Sequence, residues 1–166
     1  KTEDVYVLRS GPKLERLKIT PAKPEIKRGR KYMVGYLGVI GQQEGIEYLL
    51  KAASHIKNDW GRDDVFWGIV GGGPHLEQLK QLCHDMGLDD IVEFTGRVSD
   101  KKLLDYLNTA DVCVNSDEYN EMNDKSTMNK ILEYMALGKP IVQFDLTEGR
   151  HSAQAASLYA EPNNAA

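Results

Sequence analysis

The chain has 166 residues, of which 41% are hydrophobic and 28% charged, a balance typical of one globular domain and unlike that of a disordered chain. Its charge is uneven: residues 1–31 hold ten Lys or Arg and four Asp or Glu, a net +6, whereas the remaining residues hold eleven and twenty-one, a net −10. A nucleic-acid-binding domain carries a basic face on its folded part, so the acidic remainder argues against a nucleic-acid partner. No apolar run approaches the roughly 18 residues that span a bilayer, and residues 1–14 lack the apolar stretch of a signal peptide.

The first 31 residues are predicted to be irregular, because Pro12, Pro21 and Pro24 interrupt any helix. We interpret residues 1–31 as a lead-in or linker segment and residues 32–166 as the folded domain. The last apolar run ends just before Ala166 with no helix after it, so we expect the natural domain to continue further.

Six short apolar runs, several rich in β-branched or aromatic residues, have the pattern of buried strands. They are residues 32–38, 65–71, 91–96, 111–116, 140–145 and 157–161. Between them, apolar residues recur at helical spacing at 46–56, at 76–86, at 103–107 after a Ser99 cap, at 131–135 after Ser126 and Thr127, and more weakly at 150–156. This alternation predicts an α/β fold, a doubly wound, parallel, six-stranded Rossmann-like sheet in the order 3-2-1-4-5-6. Ligands of such a sheet bind at the carboxyl ends of its strands.

Glycines cluster where the first two predicted strands end. Gly38 and Gly41 follow the first strand, and Gly71–Gly73 follow the second. Such turns let the backbone approach a phosphate and present N–H groups to it. They also occur as tight turns with no ligand, and the sequence leaves both interpretations open. Arg97 follows the third strand and is either a ligand contact or an exposed surface residue.

The richest polar stretch follows the fourth strand. A loop from Ser116 to Lys125 precedes a helix that is predicted to start near Ser126, whose free N–H groups would hold a diphosphate. Lys130 lies in the first turn, where the helix dipole disfavours a cation, so a nearby anion would explain it. Glu133 lies one turn further on. It is either a carboxylate that binds a ribose or a helix residue exposed to solvent.

Other chemistries have little support in the residues. The four histidines have no metal-ligand spacing, so no metal site is expected. Cys83 and Cys113 are far apart, and we interpret them as reduced, buried thiols of a cytoplasmic protein.

Three stretches together resemble a known family: VGGGPHLEQLK, IVEFTGRVSDKKLLDYLNTADVCVNSDEY and LEYMALGKPIV. In their order they are similar to the C-terminal, donor-binding domain of GT-B glycosyltransferases, in the large retaining family that includes sucrose synthase and bacterial mannosyltransferases. The resemblance covers about residues 32–161. It implies two Rossmann-like domains facing a cleft, of which this one binds a nucleotide sugar such as a UDP- or GDP-sugar, with no cofactor or metal. The N-terminal domain would bind the acceptor and supply part of the catalytic machinery, so no catalytic residue is assigned in this chain.

The resemblance also implies roles for individual residues. Glu133 matches the second glutamate of the family's Glu-x7-Glu motif, which holds the ribose, and Arg97 with Val98 matches the loop along the base. The turn from Gly38 to Gly41 matches the phosphate turn. The predicted donor-binding residues are Gly38, Val39, Gly41, Gly72, Arg97, Val98, Lys125, Ser126, Thr127, Met128, Lys130 and Glu133.

The sequence departs from the family pattern at the expected phosphate and sugar contacts. Lys125 stands at the first motif glutamate, Tyr36 at the family's phosphate-binding arginine, and Gln43 or Glu44 at its companion lysine. We expect Lys125 and Lys130 to replace the lost cations, as in a subgroup with the pattern STMNKILEYMALGKPIV. The departures leave the sugar and the stereochemical course open.

The sequence therefore predicts the donor-binding domain of a glycosyltransferase that acts in glycan or polysaccharide assembly, with this piece alone inactive. The acceptor, a glycan, a lipid or a small molecule, would bind through the N-terminal domain, and we expect a cytoplasmic enzyme, either free or peripheral at the inner membrane face. Two alternatives stay open: a non-catalytic nucleotide-binding module, and a UDP-sugar 2-epimerase of the same fold.

Overall fold

A computed structural model describes residue 6 and residues 11–165 of the chain. Within this part, six strands form one sheet in the order β3-β2-β1-β4-β5-β6, and every neighbouring pair is parallel. The strands are β1 Tyr32–Leu37, β2 Val65–Val70, β3 Val92–Phe94, β4 Val112–Asn115, β5 Ile141–Phe144 and β6 Ser157–Ala160. The predicted fold class and strand order are confirmed.

Six α-helices connect or follow the strands in the described part. They are α1 Ile46–Ser54, α2 Leu76–Asp85, α3 Asp100–Thr109, α4 Glu121–Asp124, α5 Asn129–Ala136 and α6 Thr147–Ala153. α1 continues as a π-helical turn at His55–Asp59, and 3-10 turns lie at Pro24–Lys27, Gln42–Glu44 and Gln154–Ala156. Ser99 caps α3 as predicted, because its hydroxyl accepts a 3.4 Å hydrogen bond from the N–H of Lys102.

Two hydrophobic cores lie on opposite faces of the sheet, because successive side chains of a strand alternate in direction. Phe66 and Trp67 of β2 are neighbours in sequence, yet they belong to different cores. Trp67 packs with Leu50 of α1 and Leu88 after α2, whereas Phe66 packs in the core that also holds Tyr134 of α5. Helices on both faces therefore bury β1 and β2, which leaves the strand ends and their loops to form a crevice.

The order of the strands reverses between β1 and β4, and a doubly wound sheet generally has its ligand crevice at the carboxyl edge of such a point. In this chain, hydrogen bonds join the loops that follow these two strands. The N–H of Glu118 donates to the carbonyl of Gln43 at 3.0 Å, and the Ser116 hydroxyl donates to the carbonyl of Glu44 at 2.9 Å. The 3-10 turn after β1 and the loop after β4 thus form one wall.

The predicted start of the fifth helix is wrong by three residues. α5 begins at Asn129, with Met128 in an extended conformation before it. The short helix α4 fills part of the predicted polar loop, and Ser126 closes that helix: its N–H donates to Asn123 at 3.1 Å and its hydroxyl to Met122 at 2.6 Å. A serine can end one helix as well as open the next, so residue type alone did not separate these two roles.

The described part of the lead-in, residues 11–31, lies along the domain. Four of its cations pair at 2.7–3.1 Å with acids of the domain: Lys23 with Asp105, Lys27 with Asp111, Arg28 with Glu93 and Arg30 with Asp90. The opposite net charges of the two parts are therefore matched within the chain, although each exposed pair contributes only about 0–1 kcal/mol. Residues 1–5 and 7–10 lie outside the described residues, and the linker role of the segment stays a prediction. In the described part of the chain, no helix combines the length and apolarity needed to cross a membrane.

Candidate functional site

The glycine turns after β1 and β2 pack directly against each other. The N–H of Gly38 donates to Val70 at 3.1 Å, and the N–H of Ile40 donates to Gly72 at 3.2 Å. A Cβ on Gly71, whose φ is +143°, would overlap the carbonyl oxygen of Gly38, and one on Gly73 would lie 2.7 Å from the carbonyl carbon of Ile40. The close approach of the two turns therefore requires these glycines, whatever ligand binds beside them.

Gly38 also makes room for side chains beneath its turn. A Cβ at this position would lie 2.5 Å from the Tyr36 hydroxyl and 3.3 Å from Cε of Lys130. The turn after β1 and the first turn of α5 thus meet at Gly38. Val39, the next residue, is 55% exposed and faces outward at this edge.

Lys130 is the centre of a buried charged cluster, defined by Tyr36, Glu44, Asp117 and Lys130. Its Nζ lies 2.6 Å from Oε2 of Glu44 and 2.7 Å from Oδ1 of Asp117. The Tyr36 hydroxyl contacts the same Glu44 oxygen at 3.1 Å, and the Lys130 ammonium lies 5.1 Å from the centre of its ring. The Lys130 side chain is 9% exposed and that of Asp117 only 1%.

In this cluster one ammonium pairs with two carboxylates, and the pKa of one is raised whereas that of the other is lowered. Burial raises the pKa of Asp117 to about 6, even though Lys130 opposes the shift. Burial also acts on Glu44, but the ammonium and the hydrogen bonds of Lys130 outweigh it and lower the pKa of that carboxyl. Burial, followed by the two carboxylates, raises the pKa of Tyr36 well above 10, so its phenol stays neutral. The cluster carries one net negative charge when Asp117 is ionised.

This cluster accounts for a cation in the first turn of α5. The sequence predicted an anion near Lys130, and the structure supplies two from the protein itself. Glu44 was noted only as a departure from the family pattern, and Asp117 was not singled out. The one local signal for Asp117 is its place directly after a buried strand, where a doubly wound sheet gathers polar groups.

Tyr134 fixes the start of α5 to the strands. The N–H of Leu37 at the end of β1 donates to the Tyr134 hydroxyl at 2.8 Å, and this hydroxyl donates to the carbonyl of Val114 on β4 at 3.2 Å. Tyr134 is fully buried. The first turn of α5 is therefore held at the edge where β1 and β4 end.

Glu133 lies on α5 and is near Asp100, the first residue of α3. Its side chain is 16% exposed, so it is not a solvated helix residue, and burial raises its pKa although Arg16 opposes the shift. The guanidinium of Arg16, from the lead-in, lies 3.6 Å from both Glu133 and Asp100. Arg97 lies in the loop that precedes α3.

Gly72 and Arg97 are also neighbours, because a Cβ on Gly72 would lie 3.1 Å from Cγ of Arg97. Val98, next to Arg97, packs against the core beneath α3 and α5. Arg16 joins Glu133 to Asp100, and Asp100 begins the helix that follows the loop with Arg97 and Val98.

Lys125, Thr127 and Met128 have contacts outside the charged cluster. The Lys125 side chain is 69% exposed and pairs with Glu121 at 2.7 Å on α4. The Thr127 hydroxyl donates to Glu148 at 2.9 Å, and Met128 packs against the core. No three His, Cys, Asp or Glu side chains of the described part are grouped as metal ligands.

Comparisons with known proteins assign the family. Residues 31–166 match the family model described as "Glycosyl transferases group 1". The chain belongs to this family. Its six-stranded parallel domain is a Rossmann-like half of the GT-B fold, as the resemblance implied.

Individual relatives support the same assignment. Alpha-D-kanosaminyltransferase from Streptomyces kanamyceticus is 32% identical over 114 residues, which are 69% of this chain and 28% of that protein. A GDP-mannose-dependent alpha-(1-6)-phosphatidylinositol monomannoside mannosyltransferase from Mycobacterium tuberculosis is 52% identical over 44 residues, 26% of this chain and 11% of that protein. The chain thus spans only a minor part of the curated relatives it matches.

Among solved structures, HepE from Anabaena in complex with UDP has a similar fold. It is 17% identical, with a TM-score of 0.77, and the match covers 93% of this chain and 43% of that one. At this identity the likeness concerns the fold alone.

Proposed function

We propose that this chain is the donor-binding domain of a glycosyltransferase and that it holds a nucleoside-diphosphate sugar at the carboxyl edge of its sheet. The observation that carries the proposal is the meeting of the glycine turn at Gly38 with the first turn of α5 around Lys130. The positive end of the α5 dipole lies at this point, and the glycine turn lets the backbone approach it closely. A diphosphate is the ligand that such an edge favours.

The diphosphate would lie between the Gly38–Gly41 turn and the positive end of the α5 dipole. α5 begins after Met128 and not at Ser126, whose N–H is already bonded within the loop. Lys130 would attract the diphosphate with only part of its charge, because it is also paired with Glu44 and Asp117. Lys125 is exposed, so its side chain could leave Glu121 and contact the donor.

The nucleoside would extend toward β3 and α3. Glu133 would accept hydrogen bonds from the ribose hydroxyls, for which it must exchange its loose 3.6 Å pairing with Arg16. The base would lie along Arg97 and Val98, next to Gly72. This path would need no metal ion, because the positive end of the α5 dipole and protein cations would face the diphosphate.

The names of the relatives support a sugar as the transferred group and a nucleotide as its carrier. One relative is GDP-mannose-dependent, and HepE was solved with UDP. We propose a UDP- or GDP-sugar donor, a second domain that binds the acceptor, and retention of configuration, in glycan or polysaccharide assembly in the cytoplasm.

Calorimetric titration of UDP, GDP and ADP into the protein tests this proposal. The preferred nucleotide should bind Glu133→Gln about 5- to 150-fold more weakly than the parent, because ribose hydroxyls then lose a charged acceptor, a change of about 1–3 kcal/mol. Glu77→Gln, an exposed glutamate in the first turn of α2, is the matched control and should bind like the parent. Equal affinity of Glu133→Gln and the parent would place the ribose elsewhere.

A nucleotide-binding module without transfer activity is the second candidate. The pairing of Lys130 with Glu44 and Asp117 favours it, because this cation is partly neutralised before any ligand arrives. The two functions differ in one measurement. Transfer or hydrolysis of a bound sugar by the longer protein supports the enzyme, and tight binding with neither reaction supports the module.

A further inference from the structure

The buried cluster has more negative charge than its single ammonium can balance. Lys130 contacts one oxygen of Glu44 and one of Asp117, and the second oxygen of Asp117 is buried with no hydrogen-bond donor from the described residues. A buried carboxylate oxygen without a donor is unfavourable when the group is ionised. Asp117 is therefore the member of the cluster that accepts a proton most readily.

The groups that face Asp117 come from three elements. Tyr36 reaches it from β1, Glu44 from the turn before α1, and Lys130 and Tyr134 from α5. Only one of these four carries a positive charge. The two tyrosines stay neutral, since burial raises the pKa of each well above its ordinary value.

The cluster also lies next to the proposed diphosphate position. Cε of Lys130 is 3.3 Å from where a Cβ of Gly38 would be, so the end of this side chain lies against the turn that would hold the diphosphate. Two further negative charges on the crevice side would attract the ammonium and repel both carboxylates. Protonation of one carboxylate relieves this repulsion.

We propose that Asp117 takes up a proton from solvent when a nucleoside-diphosphate sugar binds, so that Lys130 is left to pair with Glu44 and the diphosphate. This inference rests on the proposed function and adds a proton to its binding equilibrium. No covalent bond of the ligand changes. Asp117 thereby becomes a residue that tunes donor affinity without touching the donor.

The expected size of the effect follows from the position of Asp117. With a pKa of about 6 before binding, about one protein molecule in ten carries this proton at pH 7. Two negative charges nearby that raise the pKa by about two units would bring the protonated fraction to about nine in ten. About 0.8 proton should then be taken up per ligand at pH 7, and the uptake should fall to about 0.1 at pH 5 and at pH 9.

Calorimetry at pH 7 in PIPES, imidazole and Tris measures this uptake, because the observed enthalpy varies with the ionisation enthalpy of the buffer in proportion to the protons exchanged. UDP-glucose and GDP-mannose are the probes. Both phosphates of a nucleotide sugar are esterified, so neither has the second ionisation near pH 6 that a free terminal phosphate would add.

Asp117→Asn should abolish the proton uptake and bind the probe at least as tightly as the parent at pH 7. Glu118→Gln, the adjacent residue of the same loop, is the control and should keep the parent's uptake. If Asp117→Asn does not fold, the parent's uptake at pH 5, 7 and 9 decides, since a maximum near pH 7 is expected. Tight binding with no proton uptake by the parent overturns the inference and leaves the proposed function intact. Binding of neither probe contradicts the proposed function, and the inference falls with it.

Discussion

Replacing Lys130 by methionine should destabilise the folded protein, because two buried carboxylates lose their shared counter-charge. Methionine keeps an unbranched, flexible side chain of similar length, so the change removes charge with little change in packing. The Nζ of Lys130 lies within 2.7 Å of both Glu44 and Asp117, and its side chain is 9% exposed. The perturbation therefore acts in a site that solvent screens only weakly.

The magnitude follows from two opposing effects. Removing one partner of a buried ion pair generally costs about 3–5 kcal/mol. Protonation of Asp117 limits this loss, because a carboxyl with a pKa of about 6 takes up a proton at pH 7 for only about 1.4 kcal/mol. We expect Lys130→Met to lower the free energy of unfolding by about 3 kcal/mol at pH 7, and by about 1–2 kcal/mol less at pH 5, where protonation is already favourable.

Urea unfolding followed by tryptophan fluorescence provides the assay, since Trp67 is buried in the core. Lys125→Met is the matched control: its ion pair with Glu121 is exposed, and its loss should cost less than about 1 kcal/mol. The double variant Lys130→Met/Asp117→Asn should recover part of the lost stability, because a neutral amide needs no counter-charge. A loss below about 1 kcal/mol for Lys130→Met at both pH values would refute the reasoning, as it would mean that solvent already screens the cluster.

Three further outcomes are expected. Gly73→Ala should lower the free energy of unfolding by about 2 kcal/mol, because the added methyl meets backbone atoms of the turn after β1, whereas Gly11→Ala, with open space around it, should be near neutral in the same urea titration. The free energy of unfolding of Asp117→Asn, relative to that of the parent, should rise by about 2–3 kcal/mol between pH 4 and pH 7. The reason is that a carboxyl whose folded pKa is raised to about 6 stabilises the fold only below that pH. A difference that stays constant with pH would count against the raised pKa. Cys83 and Cys113 should resist a thiol reagent at pH 8 until urea unfolds the protein, because burial raises their pKa values to about 11 and about 12, and rapid native labelling would show that they are accessible.

Much of the fold was predictable because its determinants are local. Each strand is a short apolar run and each helix an amphipathic period, and both patterns depend only on neighbouring residues. The helix start near Ser126 was not predictable in this way. Ser126 and Thr127 are both good capping residues, and only the contacts with Met122 and Glu148 show that they are engaged elsewhere.

The candidate site was predictable in outline. Residues that follow parallel strands must gather at one edge, so Gly38, Gly72, Arg97 and the start of α5 were grouped correctly at the carboxyl ends. Whether these residues bind a nucleotide stays a prediction. The sequence also predicted an anion beside Lys130. The anion expected there was the phosphate of a ligand, whereas the structure has the carboxylates of Glu44 and Asp117.

The sequence by itself determined the α/β class, the parallel order of the strands and the edge at which ligands would meet the domain, because these follow from side-chain periodicity and from the handedness of strand–helix–strand units. Only the tertiary structure decided which charges share a buried space. Glu44 lies 86 residues from Lys130 along the chain, yet their charged atoms are 2.6 Å apart. The charge state of such a cluster depends on desolvation and on partners brought together by folding, and no local pattern records either of them.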